Sequence, residues 1–107
     1  MCIRDRICDG YSRATGKMGM AIAQNGPGVT GFVTAIKTAY WNHTPMLLVT
    51  PQAANKTIGQ GGFQEVEQMN MFSDMVCYQE EVRDPARLQR CSTASSQKPG
   101  VAVRRRK

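Results

Sequence analysis

Two glycines enclose a proline at Gly26-Pro27-Gly28, between the apolar run Met18 to Gln24 and a helical pattern that begins at Val29. Proline fixes its own φ and has no N–H, while glycine reaches backbone angles that other residues avoid, so the chain must turn sharply here. A strand, a tight corner and a helix in succession define the position where open α/β sheets bind ligands, outside the carboxyl end of a strand. Taken by itself the corner has two readings. It is a tight turn with no ligand, or it is an anion site, because a glycine-rich turn feeding a helix start presents free N–H groups.

The flanking segments fit an α/β fold, a parallel sheet with flanking helices. Met18 to Gln24 is short and nearly continuously apolar, as buried parallel strands are. Val29, Phe32, Val33, Ile36 and Tyr40 fall at helical spacing and predict a helix from about Val29 to Trp41. Pro45 disfavours helical angles at Thr44, and Met46 to Thr50 reads as a second buried strand. Strand, helix and strand make a βαβ unit with two parallel strands, the corner lying at the carboxyl edge of the sheet.

Pro51 to Phe63 is a long polar loop rich in Gly, Gln, Asn and Ala, of the kind that often carries function. Glu65 to Ser73 predicts a helix through Val66, Met69, Met71 and Phe72, and Met75 to Tyr78 a third short strand. Asp84-Pro85 has the residues of a helix start, although the residues after it do not continue the pattern.

Charge narrows the function classes. The net charge of +6 would suit nucleic acid, yet Met1 to Cys91 holds 9 Lys/Arg against 8 Asp/Glu, and the surplus lies in Lys98 and Arg104 to Lys107. A small basic nucleic-acid-binding module contacting phosphates through Arg104 to Lys107 is the alternative of another class; the body offers it no basic face and no aromatic platform. Cysteines at 2, 8, 77 and 91 match neither a zinc knuckle nor a Cys-x-x-Cys pair, which points to reduced thiols in a cytoplasmic protein. No apolar run approaches the roughly 18 to 20 residues needed to span a bilayer.

The two ends read differently from the body. Residues 1–7 show no period and are expected to be a non-native or disordered leader, with 8–90 forming the partial domain. Residues 91–107 turn to small polar residues and arginine and are expected to be a basic disordered tail. Codons can be chosen for Gln89 to Lys107 so that a shifted frame encodes an amphipathic helix continuing from Asp84-Pro85, so a frameshift is one origin for the tail.

Three motifs in order then carry a resemblance: Asp9-Gly10-Tyr11-Ser12-Arg13-Ala14-Thr15-Gly16-Lys17, the Gly26-Pro27-Gly28-Val29-Thr30 corner, and Gly62-Phe63-Gln64-Glu65. Together they resemble the pyrimidine-binding domain of thiamine-diphosphate-dependent enzymes of the acetolactate synthase-like superfamily. The wording of Gln24 to Gly31, Thr38 to Pro45 and Thr50 to Gln60 is similar to the branch that acts on sulfoacetaldehyde. The resemblance implies a parent enzyme that converts sulfoacetaldehyde and phosphate to acetyl phosphate and sulfite, as a homodimer or homotetramer, with no nucleic acid or membrane partner. An acetolactate-synthase-like or other thiamine-diphosphate lyase is the alternative within the class.

The same resemblance assigns sites. Gly26, Pro27, Gly28 and Thr30 would line the pocket for the neutral aminopyrimidine, and Phe63 and Gln64, with Gln52, would face the substrate side of a neighbouring subunit's cofactor. Mg²⁺ and the diphosphate would be held by a domain outside this chain. The family glutamate that activates the cofactor by proton transfer lies about eight residues before Asp9-Gly10-Tyr11, at or before Met1, so no catalytic residue is assigned and the isolated chain is expected to be silent.

Simpler roles stand beside these. Phe63 could cap a core and Gln64 could be a solvated loop residue. His43, the one histidine, has no acidic neighbour and reads as structural. Tyr11 and Arg13 read as fold or interface residues, Glu65 and Glu67 as a charged helix face, and Met69, Met71 and Met75 as core filling.

Overall fold

In the computed structural model, residues 3–54, 56–90, 93 and 101–105 are described. The expected βαβ unit is present. Strand β1 (Gly19–Ile22) pairs in parallel with β2 (Met46–Thr50), Gly19 opposite Met46 and Ile22 opposite Val49. Between them run α2 (Pro27–Thr30) and α3 (Val33–Trp41), after a first helix α1 (Ile3–Thr15); α4 (Gln68–Phe72), β3 (Tyr78–Val82) and β4 (Val101–Arg105) follow. The sheet order is β1-β2-β4-β3, every pair parallel.

The core lies between the sheet and the helices. Val29, Phe32, Ile36 and Ala39 bury one helical stripe against Ala21, Ala23, Met46 and Leu48, with Phe72 of α4 and Cys8 of α1 closing the cluster. Fully burying one side chain the size of Phe32 or Leu48 is worth about 1.5–3 kcal/mol, so this stripe is the main force seating the helices. The opposite face of β1 is open among the described residues, with Met20 and Ile22 exposed.

The predicted helix from Val29 to Trp41 is divided. Gly31 N–H bonds to Pro27 O and Phe32 N–H to Val29 O, the second of these a tight three-residue step, before α3 resumes with Ile36 N–H on Phe32 O. The step keeps Val29 and Phe32 on the same buried side. At the far end, His43 adopts φ 53°, and Thr44 N–H reaches Ala39 O at 2.9 Å, the six-to-one bond that closes a helix C-terminus. The histidine is exposed and terminates α3.

Other elements depart from expectation. Residues 3–7, expected to be an unstructured leader, belong to α1, which runs on to Thr15. The buried stripe of α1 is Asp5, Cys8, Asp9 and Ser12, so apolar periodicity could not reveal it. Arg13 grips Asp9 across one helical turn at 3.0 Å. The third strand starts at Tyr78 and does not include Met75 and Val76, which instead pack on the core in the turn after α4. Asp84 caps Pro85–Arg87 as expected, accepting from Ala86 N–H at 2.9 Å, but helical backbone continues at 88–90 and at 93. The 101–105 part of the expected disordered tail forms β4 between β2 and β3; the rest of the tail, other than 93, lies outside the described residues.

Helix α1 seats on β1 through a close approach at Gly19. Ser12 Oγ donates to Cys8 O at 3.0 Å and accepts from Gly19 N–H at 2.9 Å. A Cβ at position 19 would lie 2.6 Å from Cys8 Sγ and from Ser12 Oγ, and 2.8 Å from Cys8 O. Gly19→Ala therefore must push α1 off the strand, at a cost of about 1–3 kcal/mol, and is expected to lower the urea midpoint accordingly. Burial pushes the Cys8 thiol up, helped by the carboxylates of Asp9 and Asp5, so it stays protonated at neutral pH. In the native protein, iodoacetamide followed by mass spectrometry is expected to label the exposed Cys77 well ahead of Cys8.

Candidate functional site at the glycine-proline-glycine corner

Gly26 enters the corner at φ 68° and ψ −115°, a conformation open to glycine and strained for any other residue. Its carbonyl accepts from both Val29 N–H and Thr30 N–H at 3.0 Å. Pro27 has no N–H, and Thr30 Oγ1 donates back to Pro27 O at 3.2 Å. The N–H groups of Val29 and Thr30 are thus turned back on Gly26, which leaves the corner fewer donors than the phosphate cradle that the bare sequence allowed. With no charged side chain at residues 24–31, a neutral ring suits this surface better than an anion.

The loop after β2 comes back to the same point. Gln64 adopts φ 61°, unusual for a residue with a side chain, and its Cβ would lie 2.7 Å from a Cβ placed on Gly26. Gln64 Oε1 also accepts from Gln24 Nε2 at 3.1 Å. The corner and the Gly62-Phe63-Gln64-Glu65 motif, far apart in sequence, are one contact in space. Glu65 holds the loop itself in shape, its Oε1 accepting from Gly59 N–H at 2.7 Å and its Oε2 from Gly62 N–H at 3.2 Å. Glu67 accepts from Met69 N–H and caps α4. These two carboxylates are loop and helix-cap residues, not the charged helix face that the sequence suggested.

The sequence-assigned residues divide into three groups. Gly26 and Gln64 meet at the corner contact, while Gly28 approaches Gln24 and Ala23. Pro27 and Thr30 are exposed on its outer side, and Phe63 projects from the loop with 90% of its surface exposed. Gln52 is buried beneath, where its Oε1 faces Gln68 Nε2 at 3.3 Å. The exposed phenyl ring is not a core cap, which leaves it available to a ligand or a neighbouring chain. A separate groove between α1 and β1, lined by Arg4, Ile7, Tyr11, Met18, Met20 and Ile22, includes none of these residues.

One residue beside the corner, Gln68, carried no motif. Gln68 and Asn25 join across the floor, Gln68 Nε2 lying 2.8 Å from Asn25 Oδ1 and 2.9 Å from Pro51 O. Gln68 lies four residues before the buried Phe72, on the inward face of α4, and a polar side chain at such a position was the one signal that could have found it.

Residues 7–71 match the family described as thiamine pyrophosphate enzyme, N-terminal TPP binding domain. The chain belongs to this family. Among curated relatives of this thiamine pyrophosphate-enzyme domain, a sulfoacetaldehyde acetyltransferase of Roseovarius nubinhibens is 82% identical over 82 residues, 77% of this chain and 14% of the relative. A probable sulfoacetaldehyde acetyltransferase of Rhizobium meliloti is 80% identical over the same shares. An acetolactate synthase of Arthrospira platensis is 39% identical over 82 residues, again 77% of this chain and 14% of the relative. The chain therefore spans about one-seventh of the length of the relatives it matches. Among the described residues, no group of three His, Cys, Asp or Glu side chains could hold a metal ion, and no helix is long and apolar enough to cross a membrane.

The corner geometry gives a direct test. Gly26→Ala adds both a clash with Gln64 and positive-φ strain, each of about 1–3 kcal/mol. It is expected to lower the midpoint of chemical denaturation and to raise the susceptibility of the 59–65 loop to protease, whereas Gly10→Ala, with nothing within 4 Å of the new Cβ, is expected to do neither.

Proposed function

We propose that this chain is part of a thiamine-diphosphate-dependent acetyltransferase that converts sulfoacetaldehyde and phosphate to acetyl phosphate and sulfite. The observation that carries the reading is the gap in identity, 82% to a sulfoacetaldehyde acetyltransferase against 39% to an acetolactate synthase over equal lengths. When bound, the cofactor supplies the carbanion chemistry, and the protein supplies placement and electrostatics. In this reading Gly26, Pro27, Gly28 and Thr30 receive the aminopyrimidine. The N–H groups of Val29 and Thr30 are bonded to Gly26 O and are not offered to the diphosphate.

Gln52, Phe63 and Gln64 take the substrate side. Exposed Phe63 offers an apolar wall to a neighbouring subunit's active centre, and the Gly26 contact fixes where Gln64 presents its amide. The diphosphate, Mg²⁺ and the glutamate that activates the cofactor are supplied outside this chain, in a homodimer or homotetramer that acts in the cytoplasm. The isolated 107 residues are silent in this account. A thiamine-diphosphate lyase acting on pyruvate is the second reading, favoured by the more distant identity to acetolactate synthases.

The test is the full-length gene product supplied with thiamine diphosphate, Mg²⁺ and phosphate, and offered sulfoacetaldehyde or pyruvate. Sulfite release with acetyl phosphate formation is expected from the first and no acetolactate from the second. Acetolactate without sulfite would transfer the chain to the second reading.

A further inference from the structure

We infer that Gln68 is a positioning residue, tying the cofactor corner to the loop after β2; the inference rests on the assignment of that corner to thiamine diphosphate. Its side chain is 2% exposed, and its amide nitrogen faces three oxygens: Asn25 Oδ1 at 2.8 Å, Pro51 O at 2.9 Å and Gln52 Oε1 at 3.3 Å. The first belongs to the corner and the other two to the loop. An amide nitrogen has two hydrogens, so both are committed and the weakest contact shares one of them. Reversing the amide would set an oxygen against the Pro51 carbonyl, which can only accept, so that contact fixes the orientation.

A purely structural filler would not look like this. Gln68 Oε1 is buried and has no hydrogen-bond partner, a state that costs free energy and that an apolar side chain of the same shape would avoid. What the glutamine supplies in return is a link between two segments that meet beside the Gly26–Gln64 contact. Asn25 immediately precedes Gly26, and Gln52 immediately follows Pro51. With the tie in place, the corner and the substrate-side Gln52 keep one spacing before any ligand arrives, and preorganisation of this kind lowers the cost of binding.

The experiment uses the full-length enzyme, comparing wild type with Gln68→Met, which keeps the volume and removes the amide. Hydrogen exchange without cofactor reads the tie, a thiamine diphosphate titration reads its consequence, and the melting temperature of the cofactor-free protein reads stability. Gln68→Met is expected to speed exchange at residues 25–31 and 51–53 and to weaken cofactor affinity about tenfold with little change in melting temperature. Asn25→Ala, which cuts the same tie from the corner side, is expected to weaken affinity similarly, and the double variant no more than either alone. Unchanged exchange in both segments, unchanged affinity, or additive losses would each overturn the inference. A wild-type enzyme that binds no thiamine diphosphate would instead overturn the functional reading beneath it.

Discussion

The contact between Gly26 and Gln64 is the constraint on which the rest of the site depends. Both residues sit at positive φ, and neither a side chain at 26 nor a different backbone at 64 would allow the corner and the loop to touch. Because β1 and β2 are adjacent and parallel, the loops beyond their carboxyl ends emerge side by side. The stripe of Val29, Phe32, Ile36 and Ala39 anchors the corner from behind, and the Glu65 carboxylate shapes the loop from in front. The placement of Gln52, Phe63 and Gln64 depends on these few interactions.

The corner's chemistry is defined by what it lacks. A glycine-rich turn before a long helix can bind phosphate through free N–H groups. Here α2 is a single turn, the N–H groups of Val29, Thr30 and Gly31 return to Gly26 and Pro27, and no charged side chain stands at residues 24–31. Such a surface suits a neutral ring better than an anion, which supports the proposal that the aminopyrimidine end of the cofactor lies here.

Much of this was legible in the sequence because the signals were local. Two apolar runs, one helical stripe and a glycine-proline-glycine corner specify a βαβ unit, and three motifs in order specify the family. The features that were not legible have a physical reason in each case. Helix α1 buries Asp5, Asp9 and Ser12, so its inward face carries no apolar period. The division at Gly31 and Phe32 changes the hydrogen-bonding step without changing which side chains are inward. Gln68 belongs to the site through partners 16, 17 and 43 residues away, a relation that no local pattern contains. The continuous apolar character of β1 predicted two-sided burial, yet Met20 and Ile22 are exposed among the described residues. A chain that spans one-seventh of its relatives leaves room for that face to be covered by the remainder.

The central claim is that the corner receives the aminopyrimidine end of the cofactor and not its phosphates. A crystal structure of the full-length enzyme with thiamine diphosphate bound tests it directly. The account predicts the pyrimidine ring within about 4 Å of Gly26, Pro27 and Gly28, beside the Gln64 loop, with the diphosphate on residues outside this chain. Diphosphate oxygens seated on the N–H groups of the corner would contradict it.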